Sequence, residues 1–180
     1  MDGPVLTDGV LVLRPLAVPD AAEHFAGEDD DAIRWLADAA VDVAVIEAWI
    51  ERNRVSRITG GPVLNLGVRE AQSGRLVGNV ESNLAEPSLF PGEANVAYGI
   101  FPQWRGRGYA RVAIDLLCVH LAGLDPGPGA AVIRVAEENL RSVAVARGAG
   151  FRPDGTCRAG DGSPLQRYVR PLGRSRSDSR

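Results

Sequence analysis

The sequence predicts a single α/β (α+β) domain in which helices pack on a mixed, hairpin-rich sheet. Three observations support this fold class. The 180 residues, of which 45% are hydrophobic and 24% charged, have the composition of one ordinary globular domain. Hairpin-like strand pairs are followed by a strand–helix–strand–helix–strand unit. No linker or internal repeat divides the chain, so we expect one domain over residues 1–172 and a polar, disordered tail over residues 173–180.

The N-terminal part of the chain predicts one strand and three helical segments. The strand covers residues 10–14 (VLVLR), and Pro15 limits its extension. Asp20 is the expected N-cap of the first helix, and residues 33–36 indicate a second, short helical piece. A longer helix is expected over about residues 43–58, because its apolar side chains recur at helical spacing.

The middle of the chain predicts three strands. Residues 63–70 and 75–84 have strand character and are separated by a short turn, which is a hairpin pattern. Residues 85–92 carry two prolines and are expected to form a loop. The third strand covers residues 94–101 and ends at Pro102, because proline cannot donate to the hydrogen-bond ladder of a sheet.

The C-terminal part predicts helices and strands in alternation. A helix begins at Tyr109, a buried type of strand covers residues 131–136, and a second helix follows it. Another strand begins at Phe151. Residues 154–155 (Asp-Gly) and 160–162 (Gly-Asp-Gly) are expected to turn the chain before the last strand, over residues 165–172.

Charge and composition exclude several classes of function. A net charge of -3 and a pI near 5.4 argue against a nucleic-acid binder, which would carry a basic stripe. No apolar stretch has the length of a membrane span, and the N-terminus lacks a targeting pattern, so we expect a cytoplasmic protein without a membrane partner. The two cysteines are too few for a disulfide framework. No grouping of Cys, His and acidic residues has the spacing of metal ligands, so no metal is expected.

A glycine- and arginine-rich turn, residues 103–110 (QWRGRGYA), separates the strand that ends at Pro102 from the helix that begins at Tyr109. The first N–H groups of a helix have no partner within the helix and lie at the positive end of its dipole. Arg105 and Arg107 add positive charge beside them. The turn therefore predicts an anion site, most suitably for a phosphate or pyrophosphate.

Three kinds of phosphate-binding turn compete for this segment. The P-loop of nucleotide hydrolases requires a lysine, and all twenty basic residues besides histidine are arginine. The dinucleotide motif Gly-x-Gly-x-x-Gly fits at Gly106 and Gly108 but has Arg111 in its third position, and no βαβ unit surrounds it. The P-loop is therefore excluded, and the match to the dinucleotide motif is weak.

The third design is a resemblance to a family. The run from Gln103 to Ala110 is similar to the pyrophosphate-binding loop of the GNAT superfamily of N-acetyltransferases, and further motifs resemble its ribosomal-protein N-acetyltransferase branch. These motifs are Leu11, Leu13–Leu16, Asp20, Trp35–Leu36, Gly67–Glu70, Gly74–Asn79, Ala97–Ile100, Asn139, Ser142 and Gly148–Phe151. They follow one another in the order of the family and cover most of residues 10–170.

The resemblance implies a fold and a cosubstrate. The fold is a central, mixed, mostly antiparallel twisted sheet flanked by helices, whose splayed middle strands form a CoA cleft. Acetyl-CoA would place its pyrophosphate on the turn and pair its pantetheine arm with the preceding strand. Asn139 would bind that arm, although it also suits the simpler role of a helix cap. The implied cofactor-binding residues are Ile100, Phe101, Gln103, Arg105, Gly106, Arg107, Gly108, Tyr109, Ala110 and Asn139.

The resemblance also implies an acid and a base. An acceptor amine must lose a proton before it attacks, and Glu93 and Glu81 are the candidate bases, either directly or through water. Many members of this branch carry an acid nearer Tyr98, where this chain has Asn95. Ser142 matches the serine of the ribosomal-protein branch and would donate a hydrogen bond to the leaving thiolate.

The expected activity is direct transfer of an acetyl group from acetyl-CoA to a primary amine, either of a protein or peptide N-terminus or of a small molecule. A homodimer is a further expectation from the resemblance. The alternative is a non-catalytic sensor that binds acyl-CoA and retains the cleft. Turnover that depends on an amine separates the two.

Overall fold

Eight strands form one sheet in the computed structural model, which describes residues 3–29 and 42–173. The strands are β1 (Leu6–Thr7), β2 (Leu11–Pro15), β3 (Val63–Glu70), β4 (Leu76–Asn83), β5 (Glu93–Ile100), β6 (Ala130–Val135), β7 (Arg152–Arg158) and β8 (Pro164–Pro171). Within the described ranges the α-helices are α1 (Ala21–Gly27), α2 (Val43–Ile58), α3 (Tyr109–Ala122) and α4 (Leu140–Gly148). Short 3-10 helices precede α1 and α3, at Val18–Asp20 and Pro102–Trp104. The helical piece expected at residues 33–36 and the tail beyond residue 173 lie outside the described residues.

The strand order is β1-β2-β3-β4-β5-β6-β8-β7. All neighbours are antiparallel except β5 and β6, which are parallel. The sheet is therefore mixed and mostly antiparallel, and the predicted fold class is confirmed. The parallel pair arises because α3 carries the chain back to the end of the sheet at which β5 begins, as a crossover connection must.

The two faces of the sheet carry different helices. Side chains alternate between faces along a strand. Arg69 of β3 pairs with Asp20 and Glu23, at 2.6 Å and 3.5 Å, which places α1 on the face of Arg69. Tyr98 of β5 faces the opposite side and reaches Ser142 of α4. The apolar core fills the space between the sheet and its helices, with Leu66, Val80, Ile114 and Leu117 among its fully buried members.

Two local predictions were wrong. Asp20 occupies the N-cap position of α1 but its side chain makes no capping bond: the carboxylate accepts a hydrogen bond from the Ala17 N–H of the preceding 3-10 turn, at 3.0 Å, and pairs with Arg69. Residues 154–155 do not end a strand but form a bulge inside β7, where Gly155 has φ +82°. In both cases a long-range partner outweighs the local preference.

None of the helices in residues 3–29 and 42–173 is long and apolar enough to cross a membrane.

Candidate active site

A wedge-shaped gap opens in the middle of the sheet, between β5 and β6. The two strands pair only from Glu93 to Asn95 of β5, against Ala130 to Val132 of β6. Beyond these residues β5 remains paired with β4 as far as Ile100, while β6 diverges. The splayed middle strands that the resemblance implied are present.

The backbone of β5 offers polar groups to this gap at every second residue. The Phe101 N–H donates to the Val77 carbonyl of β4 at 2.9 Å. Since N–H and C=O groups alternate between the two edges of a strand, Ala97 and Gly99 also face β4. Tyr98 and Ile100 therefore direct their backbone N–H and C=O groups toward the other edge of β5, which faces the gap.

Ile100 and Phe101 were both predicted to contact a cofactor, but only Ile100 has a backbone N–H group available for one. The Ile100 carbonyl accepts a hydrogen bond from Arg105 Nε at 2.8 Å, which leaves its N–H for the gap. Both backbone groups of Phe101 are engaged, because its carbonyl accepts from the Trp104 N–H at 2.9 Å. Its ring is 5% exposed and packs on Gly27 of α1. Phe101 thus anchors the end of β5 and has no backbone group left for a cofactor.

The turn after β5 ends in two glycines with left-handed backbones. Gly106 has φ +77° and Gly108 has φ +80°, conformations that side chains disfavour. A Cβ at either position would meet no atom of the described residues within 4 Å, so both glycines border open space. The N–H groups of residues 106–111 donate to no acceptor among the described residues. They form an anion cradle at the N-terminus of α3.

The arginines of the turn are held beside this cradle. Arg105 donates two hydrogen bonds to the Asp29 carboxylate, at 2.7 Å and 2.9 Å, in addition to its bond with Ile100. The Arg107 guanidinium lies over the ring of Trp104, 4.8 Å from its centroid. Arg105 therefore braces the turn against the segment after α1, and the cradle itself is made of backbone.

The remaining predicted residues of the turn lie around the same cradle. Gln103 is exposed, and its carbonyl accepts a 3.4 Å hydrogen bond from Arg107. The Tyr109 hydroxyl donates to Glu70 at 3.0 Å, which fixes the first residue of α3 to the end of β3. Hydrogen bonds from Ser73 and Tyr109 hold the pKa of Glu70 below its usual value. Ala110 is half-buried in the first turn of the helix.

Glu93 is part of a buried ion pair and is poorly suited to be a base. Its carboxylate accepts two hydrogen bonds from Arg167, at 2.6 Å and 3.0 Å, and one from the Phe90 N–H at 2.8 Å. Burial would raise the pKa of Glu93, but the bonds from Arg167 and Phe90 outweigh it and lower that pKa. Glu93 also lies at the paired end of β5, before the gap opens.

Glu81 lies on β4 beside the open part of the gap. Val80 is fully buried, so Glu81 points to the opposite face, the one that carries α1. Its register partner on β5 is Ala97, two residues beyond Asn95, which is the last residue of β5 that pairs with β6. Asn65 Nδ2 donates to the Glu81 carboxylate at 3.0 Å. The Oδ1 atom of Asn65 is buried with no hydrogen-bond partner among the described residues, so an unused acceptor sits beside the carboxylate.

Asn95 stands where the family branch often has an acid. Its Oδ1 atom accepts a hydrogen bond from Arg134 Nε at 3.0 Å, and Arg134 also pairs with Glu86 at 2.8 Å. Arg134 belongs to β6 just past the point of divergence. It therefore closes the narrow end of the gap on the face of Glu81.

Asn139 and Ser142 begin α4, which follows β6. Asn139 Oδ1 accepts from the Ser142 N–H at 3.0 Å, so Asn139 does cap the helix. The Ser142 hydroxyl lies 2.7 Å from the Tyr98 hydroxyl of β5, where α4 packs on the strand. Burial raises the pKa of Tyr98 to about 12, although the hydrogen bond with Ser142 opposes that rise.

Sequence reasoning missed three residues of this region: Asn65, Arg134 and the hydroxyl of Tyr98. Their partners lie 16, 39 and 44 residues away in the chain. No local pattern joins them. For Asn65 the one usable signal is its place at an inward position of an apolar strand, where an amide needs a partner.

Comparison with known proteins gives the same fold. Residues 11–152 match the family described as the acetyltransferase (GNAT) domain. No curated protein sequence matches the chain.

Three solved structures illustrate the likeness in fold. The RimL ribosomal L7/L12 alpha-N-protein acetyltransferase in complex with coenzyme A is 17% identical, with a TM-score of 0.78 over 94% of this chain and 98% of that one. The Mycobacterium smegmatis RimJ in complex with CoA-disulfide is 20% identical, with a TM-score of 0.74 over 94% and 86%. The microcin C7 self-immunity acetyltransferase MccE in complex with acetyl-CoA and AMP is 19% identical, with a TM-score of 0.74 over 92% and 94%.

The family match spans more than half of the chain and includes β2 to β6, the anion cradle and α4. The chain therefore belongs to the acetyltransferase (GNAT) domain family and is an acyltransferase, with acetyl-CoA as the cosubstrate of that family.

Proposed function

We propose that this protein is an N-acetyltransferase, which transfers the acetyl group of acetyl-CoA directly to a primary amine. The observation that carries the proposal is the continuity of the gap and the anion cradle. The edge of β5 that no longer pairs with β6 leads straight into the N–H groups of residues 106–111, which donate to no acceptor in the described part of the chain. An amide-containing arm that ends in a pyrophosphate needs these two features in this order.

The residues present fit acetyl-CoA. The pantetheine arm carries amide groups, and the Tyr98 and Ile100 backbones can pair with them as a strand would. The N–H groups of residues 106–111 suit the pyrophosphate, and open space above Gly106 and Gly108 lets it approach. The cosubstrate supplies an activated acyl thioester when bound. The chain itself has to position the amine and stabilise charge.

An N–H group of β5 that faces the gap is suited to stabilise an oxyanion. Such a group is fixed by the pairing of β5 with β4, so it needs no reorganisation when negative charge develops on the carbonyl oxygen. Tyr98 and Ile100 provide the two N–H groups of this kind. Side-chain identity matters little for this role.

Glu81 is the base that the geometry favours. It lies on the face of α1, beside the open gap, whereas Glu93 lies at the end of β5 that is still paired with β6. A primary amine has an ordinary pKa of about 8–10 and is mostly protonated near neutral pH. The Glu81 carboxylate, with the unused Oδ1 of Asn65 beside it, can hold such a cation and accept its proton, either directly or through water.

The acceptor class follows from this face of the sheet. The Glu81 carboxylate favours a positively charged amine. RimL is described as acting on the N-terminus of ribosomal L7/L12. We extend this to the chain as a proposal: a protein or peptide N-terminus, or a small primary amine.

The test is an assay of CoA thiol release from acetyl-CoA over a panel of peptides with free N-termini, polyamines and aminoglycosides. We expect release that depends on the amine, with the acetylated amine identified by mass spectrometry. Binding of acetyl-CoA without turnover on any amine would contradict the proposal and favour the acyl-CoA sensor.

Glu81→Gln is expected to lower kcat about 100-fold, the usual contribution of a positioned general base. The amide keeps the shape of the side chain but cannot accept the proton. The rate should recover partly at high pH, where the amine is neutral without assistance. Steady-state kinetics from pH 6 to pH 10 measure both effects. Glu86→Gln is the matched control, and an equal loss of rate in that variant would argue for a general charge effect.

Asn139→Asp is expected to keep the cap of α4 but to weaken acetyl-CoA binding about tenfold, or about 1.4 kcal/mol. Aspartate still accepts the Ser142 N–H but lacks the amide donor proposed for the pantetheine arm. Calorimetric titration and thermal unfolding measure the two properties. Asp42→Asn makes the reverse exchange at the cap of α2 and should change neither. Unaltered affinity in Asn139→Asp would leave Asn139 with the capping role alone.

A further inference from the structure

Two hydroxyl groups meet where α4 packs on β5. The Tyr98 Oη atom lies 2.7 Å from Ser142 Oγ and 3.2 Å from the Ser142 carbonyl oxygen. Tyr98 is three residues past Asn95, the last residue of β5 that pairs with β6, so the pair lies beside the open part of the gap, on the face of the sheet that carries α4. Ser142 is also held by its N–H to Asn139, which caps the helix. Ser142 is therefore held at both its backbone and its hydroxyl.

The direction of the hydrogen bond decides what Ser142 can do. A phenol is a stronger donor than an alcohol, and an alcohol oxygen is the better acceptor of the two. The 2.7 Å contact between the hydroxyls allows either oxygen to donate, and the greater acidity of the phenol assigns the donor role to Tyr98 and the acceptor role to Ser142 Oγ. The Ser142 proton is then left for another acceptor. The pKa of Tyr98, raised to about 12 by burial, keeps this donor protonated over the whole working range of pH.

We propose that Tyr98 is a positioning residue, whose O–H donates to Ser142 Oγ and thereby directs the Ser142 O–H to the sulfur of coenzyme A. The inference rests on the proposed function. In the transfer step the N–C bond forms, the C–S bond breaks and its electron pair goes to sulfur. The amine proton goes to Glu81. Ser142 donates a hydrogen bond to the thiolate and keeps its proton, so no further acid is required.

The first test needs no turnover. The protein is titrated with coenzyme A, and the pKa of the bound thiol is followed by the ultraviolet absorbance of the thiolate. A free thiol has a pKa of about 8.5, and a hydrogen bond to the thiolate should lower it by about one unit. Ser142→Ala and Tyr98→Phe should each abolish this lowering. Tyr168→Phe, which removes the hydroxyl of another buried tyrosine, is the control and should leave the lowering unchanged.

The second test is kinetic. Tyr98→Phe and Ser142→Ala should each lower kcat about 10- to 100-fold, with little change in KM for acetyl-CoA, because the interaction strengthens as charge develops on sulfur. The double variant should be no slower than either single variant, as for two groups that act as one unit. Independent, additive losses would assign Tyr98 a purely structural role and overturn the proposal.

The outcomes separate the two proposals. If no amine supports turnover but both variants lose the shift of the bound thiol, the proposed acetyl transfer fails and the role of Tyr98 stands. If the wild-type protein turns over and Tyr98→Phe retains both the rate and the shift, the role of Tyr98 is overturned and the transfer stands. Absence of a shift in the wild-type protein also overturns the role of Tyr98.

Discussion

Ala110→Glu is expected to weaken acetyl-CoA binding about 10- to 100-fold, or about 1.4–2.8 kcal/mol, without destabilising the protein. Ala110 is in the first turn of α3, where the free N–H groups of residues 106–111 form the anion cradle. A carboxylate there repels a pyrophosphate. The same carboxylate is favourable for the helix itself, because its charge complements the dipole. The affinity for acetyl-CoA should therefore fall while the thermal stability does not. A variant that failed to fold would lose both.

Ala44→Glu is the matched control for this variant. Ala44 is exposed and occupies the corresponding position in the first turn of α2, outside the anion cradle. The control should have the same small effect on thermal stability and none on affinity. Calorimetric titration with acetyl-CoA and thermal unfolding provide both readouts. Unchanged affinity in Ala110→Glu would mean that the start of α3 does not bind the pyrophosphate.

Arg167→Met is expected to lower the free energy of unfolding by about 3–5 kcal/mol. The side chains of Arg167 and Glu93 are only 3% and 10% exposed, so the variant leaves a buried carboxylate without its cation. The double variant Glu93→Gln with Arg167→Met removes both charges and should recover much of the loss. Urea denaturation of the four proteins measures the coupling. Equal stability of the single and double variants would contradict this account of the pair.

The same pair predicts a dependence on pH. The pKa of Glu93 is lowered in the folded protein, so its contribution is fully present above the ordinary carboxyl pKa and is lost as pH falls through the folded pKa. In Arg167→Met the buried carboxylate can be relieved by protonation. The deficit of that variant should therefore be smaller near pH 4 than at pH 7. A deficit that is the same at both pH values would show that lost packing, and not the unpaired charge, is its cause.

Much of the fold could be predicted because its elements carry their own periodicity. The expected bounds of α2 agree with those observed, and the three middle strands agree within one or two residues. The errors arose where a local preference competes with a distant partner. Asp20 resembles an N-cap, yet its carboxylate pairs with Arg69 of β3. Residues 154–155 resemble a turn, yet β8 continues to pair across them.

The site was predictable in proportion to how local it is. The glycines of the turn and the cap at Asn139 depend on backbone conformation within a few residues, and the sequence shows both. The choice between Glu81 and Glu93 does not depend on local conformation. It depends on the partner that each carboxylate meets across the sheet, Asn65 in one case and Arg167 in the other. Such partners are defined only when the strands are in register.

Hydrogen exchange of the β5 amides, followed by NMR with and without acetyl-CoA, tests the central claim most directly. In the free protein the N–H groups of Ala97, Gly99 and Phe101 should be protected by β4, while those of Tyr98 and Ile100 should exchange rapidly. Acetyl-CoA should protect Tyr98 and Ile100, together with amides of residues 106–111. Protection that does not alternate along β5, or that leaves the start of α3 unchanged, would contradict binding of the cosubstrate in this gap.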